Sequence, residues 1–202
     1  MITKNKLLTL LALAASAFSL QAQTLNLNYG FVSLRANGAT NAEVIFPANT
    51  DAIFRLTSYD VTNDTAGAIL KLQAGTYGAT INATASSSAT NCVVIGNSYI
   101  VANDTVVFQK ADNTVFSATC HSTNGTTINL TGQLGTALAA GDKIYRMAIL
   151  HTNLVSAATV RKDGICIFAA PLRQPMRLLT FGNTTITAIN SASGYYDKAA
   201  PQ

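Results

Sequence analysis

Apolar and polar residues alternate with a period of two along most of this chain. From Thr24 to Phe31, Leu25, Leu27, Tyr29 and Phe31 point one way while Thr24, Asn26, Asn28 and Gly30 point the other. That is the signature of a half-buried strand. Comparable runs occupy 43–46, 52–59, 68–73, 92–96, 105–110, 114–120, 126–130, 143–150, 164–168, 177–181 and 184–189. Turn chemistry separates them, with AND at 102–104, ADN at 111–113, TNG at 123–125 and AGD at 140–142; Gly, Asn and Asp tolerate the backbone angles that tight turns need. Many short strands at intervals of about 8–12 residues indicate a sandwich or a barrel. Past residue 22 no helical stripe is convincing; 154–162 has room for one turn, and SASG at 191–194 reads as a polar tail. The fold class expected is all-β, an antiparallel β-sandwich.

The first 22 residues break this pattern. Lys4 and Lys6 precede an apolar run from Leu7 to Leu20, and small residues allow cleavage after Ser19 or Ala22. This reads as a secretory signal of bacterial style. An uncleaved anchor is the rival reading, but the run is short for a span of about 20 residues. No later stretch has the length and hydropathy of a membrane-spanning helix, so the expected product is secreted, extracellular or held at the cell surface.

Composition narrows the function. Only 11% of residues are charged, against roughly 25% in a typical soluble domain, which excludes a disordered charged tail and a coiled coil. Without Lys4 and Lys6, eleven Lys and Arg face nine acids, a net charge of +2. That is too weak a field for nucleic acid to be the expected partner. Two His, one Glu and no Trp leave few parts for acid/base catalysis or an aromatic sugar platform. Cys120 and His121 are adjacent, so on a strand they point to opposite faces, and His151 has no neighbouring ligand. No cofactor, metal or catalytic residue is expected. Most Asp residues, including Asp64, Asp104, Asp112 and Asp142, sit in turns where they bend the backbone rather than pair with Glu43 for hydrolysis.

Three cysteines, Cys92, Cys120 and Cys166, allow one disulfide in an oxidising compartment and leave one thiol over. Three pairings are possible. The odd thiol is either a buried core residue or a cross-link between subunits.

The most organised stretch runs from about Cys92 to Met147. Its sequence of turns and strands is Ala102-Asn103-Asp104, Val106-Val107-Phe108, Ala111-Asp112-Asn113, Asn124-Gly125, Thr127-Ile128-Asn129-Leu130 and Gly141-Asp142-Lys143-Ile144-Tyr145. It resembles a small β-barrel unit of phage structural proteins and secreted bacterial surface proteins, with Asn103 where Gly is commoner. The resemblance implies a building block of scaffolds and fibres and carries no catalytic residues. Three parts are therefore expected: a signal peptide (1–22), a β-sandwich (23–91 plus 148–202) and an inserted small barrel (92–147). One continuous sandwich is the alternative. An internal echo, Tyr59-x-Val61-x-Asn63-Asp64-Thr65 and Tyr99-x-Val101-x-Asn103-Asp104-Thr105, is read as two strand–turn–strand units under one turn constraint.

Two features bear on partners. Region 150–196 holds Arg161, Lys162, Arg173 and Arg177 against Asp163 alone, a basic contact patch for an anionic glycan or a neighbouring subunit, or else solvated guards of strand edges. The leading strand, with Leu25, Leu27, Tyr29 and Phe31 as apolar knobs, can close its own sheet or insert into the next molecule's. Low charge favours burying flanks between copies. The first reading is a non-catalytic structural subunit that self-assembles into a filament, sheath or surface lattice. The alternative is a secreted monomeric binding module or adhesin recognising a glycan or surface.

Overall fold

β-Branched and aromatic residues on alternate positions pack well on a pleated surface, and they organise nearly everything seen here. The computed structural model describes residues 31–38, 41–63, 68–97, 99–155, 161–169, 173–181 and 188–198. The signal segment and Leu25, Leu27 and Tyr29 lie outside the described residues. Among the described residues the strands are β1 (Phe31–Gly38), β2 (Asn41–Phe46), β3 (Ala52–Asn63), β4 (Ala68–Ile81), β5 (Asn91–Ile95), β6 (Thr105–Gln109), β7 (Val115–Thr123), β8 (Thr127–Leu130), β9 (Lys143–Val155), β10 (Arg161–Ala169), β11 (Met176–Phe181) and β12 (Ala188–Lys198).

They form two antiparallel sheets, in keeping with the expected all-β sandwich. One has the order β1-β12-β3-β10, the other β2-β11-β4-β5-β8-β7-β6-β9. β9 also pairs with β4, from Lys143↔Thr80 to Val155↔Ala68, so six strands of the larger sheet pair in a ring. The ring is thin at β4–β5, where Thr80↔Ile95 and Ile81↔Val94 are the paired residues. That short seam sets it apart from a regular closed barrel.

Alternation decides which residues face which core. Between the sheets lie Val44, Phe46, Phe54, Leu56, Leu72, Met176, Leu178 and Tyr196, with Phe46 stacked on Phe54 at 4.0 Å. Inside the ring lie Ile81, Cys92, Val94, Val106, Phe108, Phe116, Cys120, Ile128 and Ile144. Burial of each large side chain is worth roughly 1.5–3 kcal/mol. A third layer joins the two. On β2 the side chain of Ile45 points away from Val44 and Phe46, and it packs on Val107, Val115 and Met147 outside the ring. One short strand thus serves both bodies, one face to each.

The turn readings are confirmed residue by residue. Asn103 (φ 68°), Asn113 (φ 65°), Gly125 (φ 86°) and Gly141 (φ 96°) hold the left-handed angle in the four turns. Elsewhere the elements differ from the sequence reading. β1, with the irregular pattern FVSLRANG, was not anticipated. β4 continues past Gln73 to Ile81 because its glycines are sites of close approach: a Cβ on Gly75 would meet Pro175 at 2.7 Å and Tyr145 at 2.9 Å. SASG at 191–194 is no tail but the middle of β12, which pairs with both β1 and β3. A bulge between Ser193 and Gly194 brings Gly194 under the Phe54 ring, where a Cβ would lie 2.5 Å from a ring carbon.

Candidate functional site: a cationic cleft between sandwich and ring

Where the ring abuts the sandwich, four short segments enclose a cleft of about 510 Å³. The first is the loop after β2. Gln109, at the end of β6, fastens it from both sides: its Oε1 accepts from Ala48 N and its Nε2 donates to Ala48 O, each at 2.8 Å. Asn49 Oδ1 accepts from Asp51 N at 2.7 Å. The second segment is the turn after β6. Lys110 N donates to Thr114 O at 2.9 Å and Asn113 N to Lys110 O at 3.0 Å, while Asn113 Oδ1 accepts from Gln109 Nε2 at 3.2 Å. Asp112 accepts from Thr114 N at 2.9 Å. Hydrogen bonds from the Thr114 backbone and then its side chain hold the Asp112 carboxyl below its ordinary range, with a smaller contribution from Lys110.

The third wall is the turn into β9. Buried Asp142 accepts from Ala139 N at 2.8 Å and Ala111 N at 3.3 Å, tying this turn to the second. β9 then presents Lys143 and Tyr145 to the cleft while Ile144, between them, enters the ring core. Burial, and next the nearby Tyr77, push the Tyr145 hydroxyl up to about 12. The fourth segment carries Arg173 at φ 65°. A non-glycine residue of this kind in the left-handed region costs roughly 1–2 kcal/mol. Pro175 holds that segment down, packed on Gly75 and accepting from Gly75 N at 2.9 Å.

Lys110, Lys143 and Arg173 therefore surround the cleft, and among the described residues that line it Asp51 is the one acid. Among the described residues Lys143 and Arg173 have no ion-pair partner, and Lys110 meets Asp112 only at 4.0 Å. Amides of Asn49, Asn113 and Gln109 complete the lining. The walls are tied together by hydrogen bonds, and among the described residues two of the three cations, Lys143 and Arg173, have no ion-pair partner.

Of the patch read from the sequence, Arg173 is the member found in this cleft among the described residues. Arg161 and Lys162 lie on β10 opposite Thr62 and Val61; their side chains are outside the described residues. Arg177 is not a surface cation. It is 7% exposed, and its Nε donates to Glu43 Oε2 and its Nη1 to Gln73 Oε1, each at 2.6 Å. Glu43 also accepts from Ser117 Oγ at 2.9 Å. These residues sit beside Ile45, in the layer joining the two bodies. Lys110 and Lys143 were missed because each lies in a turn beside an acid, Asp112 and Asp142 respectively, so no local excess of positive charge marks them.

Cys92 and Cys120 are buried free thiols. β8 runs between their strands, with Cys92 opposite Ile128 and Cys120 opposite Leu130. Two strand spacings, about 9–10 Å, exceed the roughly 7 Å that a disulfide bridges. Cys166 is on β10, its side chain outside the described residues. Phe31 opens β1 and pairs with Tyr195 of its own chain.

No family model matches the chain, and no curated protein matches it. Among solved structures, the Gp54 tailspike of Acinetobacter baumannii bacteriophage AP22, in complex with A. baumannii capsular saccharide, is similar over 37% of this chain and 15% of its own, at 14% identity and a TM-score of 0.32. A chain of infectious bursal disease virus, Gt strain, is similar over 90% of this chain and 41% of its own, at 9% identity and a TM-score of 0.16. The first is a partial match to a phage protein. Likenesses of this degree assign neither a family nor a ligand. Among the described residues, no helix is long and apolar enough to cross a membrane.

Proposed function

We propose that this protein is a secreted, non-catalytic binding module that holds an anionic glycan in the cleft between sandwich and ring. One observation carries the reading: Lys110, Lys143 and Arg173 converge on a cleft of about 510 Å³ whose described lining holds one acid, Asp51, with Asp112 4.0 Å from Lys110 outside it. Ligand sites are concave, largely pre-formed, and lined by a few convergent polar groups. Here the left-handed Arg173 adds the local strain that accumulates at such sites. The asparagine amides supply donors and acceptors for hydroxyl groups, and the cations supply attraction for a negative charge.

Self-assembly by donation of the 23–31 strand draws less support. Three of its four knobs are outside the described residues, and the fourth begins a strand paired within its own chain. Retention of the mature protein on immobilised acidic and neutral oligosaccharides tests the main reading. Acidic chains should be retained and released by salt, and K143A/R173A should weaken binding about tenfold or more, since two partly exposed ion pairs contribute about 1–2 kcal/mol together. Absence of binding to every acidic chain, or equal binding by the double variant, refutes it. Size-exclusion chromatography separates the readings further, because large assemblies from the pure protein would favour the structural-subunit alternative.

A further inference from the structure

The cleft does not end at its cationic lining. Tyr145, at its edge, is 2% exposed and meets the ring of Tyr77 edge-on, with centroids 6.2 Å apart and planes at 79°. The two residues are directly paired across β4 and β9. Tyr77 itself is 47% exposed, an unusual position for a large aromatic that has been immobilised. Its hydroxyl is 2.6 Å from Thr80 Oγ1, so one end is hydrogen-bonded and the ring is braced by Tyr145. The next residue, Gly78, leaves room for Ile100 to pack there; a Cβ would lie 2.8 Å from the isoleucine Cδ1. Tyr77 thus stands beside the cleft as a fixed, accessible aromatic surface.

A fixed ring that packs on Tyr145, itself part of the cationic lining, adds a second kind of contact next to the cleft. Carbohydrate rings have an apolar face of C–H groups, polarised by the ring oxygens, which complements the negative face of an aromatic. Arg173 offers the planar fork that matches a carboxylate, and Lys143 offers a point charge. We infer that the ligand is a uronate-containing oligosaccharide of two or more residues, with a carboxylate held among Lys110, Lys143 and Arg173 and an adjoining sugar stacked on Tyr77. This rests on the glycan-binding reading above and adds to it the length and charge chemistry of the ligand. The absence of Trp, which left the sequence with little for a sugar platform, is met by a tyrosine that the tertiary structure pins.

The test is calorimetric titration of the mature protein with hexuronate monosaccharides, di- and tetrasaccharides (galacturonate, glucuronate and mannuronate series), and a neutral maltotetraose. Disaccharides of at least one acidic series should bind about tenfold more tightly than the matching monosaccharide, the gain expected of one stacked ring. Y77A should remove that gain, leaving monosaccharide binding within twofold of the parent, and Y77F should keep it. K143A/R173A should weaken both lengths. Near-ultraviolet circular dichroism and thermal unfolding check that Y77A retains its fold, and Y77F carries the comparison if it does not. If Y77A keeps the full disaccharide gain, or Y77F loses it, the stacking inference is wrong while glycan binding stands. If no acidic sugar binds, or maltotetraose binds equally well, the anionic-glycan reading falls and this inference with it.

Discussion

Removing Glu43 should destabilise the protein more than removing Arg177, although the two form one ion pair. Arg177 has a side chain 8% exposed, against 23% for Glu43. Taking about 4 Å between charge centres and an effective dielectric near 20, their attraction is roughly 4 kcal/mol before desolvation is counted. In E43A the guanidinium cannot shed its proton and keeps only Gln73 at 2.6 Å and Ser117 Oγ at 3.4 Å. An uncompensated buried charge costs about 3–5 kcal/mol. In R177M the carboxylate is nearer water and retains Ser117, while Gln73 loses a partner at a cost of about 1–3 kcal/mol. E43A should therefore fall about 3–4 kcal/mol below the parent and R177M about 2, both read from urea unfolding with unchanged m-values. If R177M were the worse of the two, or E43A cost under about 0.5 kcal/mol, the charge argument would be wrong and packing of the guanidinium stem would be the better explanation. The same layer joins the sandwich to the ring, so a change in m-value for E43A would indicate that the two bodies had ceased to unfold together.

Three further outcomes are expected. G194A should lose roughly 2–3 kcal/mol in thermal or urea unfolding, because its methyl would overlap the Phe54 ring and the Arg55 carbonyl oxygen, neither of which is free to shift; a loss below about 0.5 kcal/mol would show that the bulge relaxes. Q109A should cost about 2 kcal/mol by orphaning the Ala48 backbone groups, and it should weaken glycan binding more than an equally destabilising change inside the ring, since it frees one cleft wall. Burial, followed by the nearby Cys120, pushes the Cys92 thiol from 9.0 up to about 12. Between those values the unfolded chain releases a proton that the folded chain keeps, so stability is full below about pH 9 and declines as pH rises toward 12; C92A should flatten that decline, and an identical alkaline profile in the variant would contradict it.

Much of this was legible as local pattern. Ile128 and Leu130 face the ring core while Thr127 and Asn129 are half-buried, which is the alternation the sequence shows. The four turn triplets each placed Asn or Gly where a left-handed angle was needed. Positions with neither periodicity nor turn chemistry were the ones misread. The strand run read at 68–73 stopped short of Gly75 and Gly78, and Gly194 was read as part of a polar tail, yet each is a place where another side chain occupies the space a Cβ would take. That cause lies 22 to 140 residues away and leaves no local mark.

The candidate site divides the same way. Sequence alone determined the all-β class, the strand period, the turn residues and the scarcity of charge, because each depends on neighbours a few positions apart. It also named Arg173 as one of four candidate contact residues, and the structure places that one in the cleft lining. Tertiary structure alone decided that Arg177 is buried against Glu43, that Lys110 and Lys143 join Arg173 around one cleft, and that Tyr77 stands braced beside it. Charge and burial are properties of what surrounds a side chain in space. Here those surroundings come from strands far apart in the chain, so only the register that pairs β2, β4, β9 and β11 could bring them together.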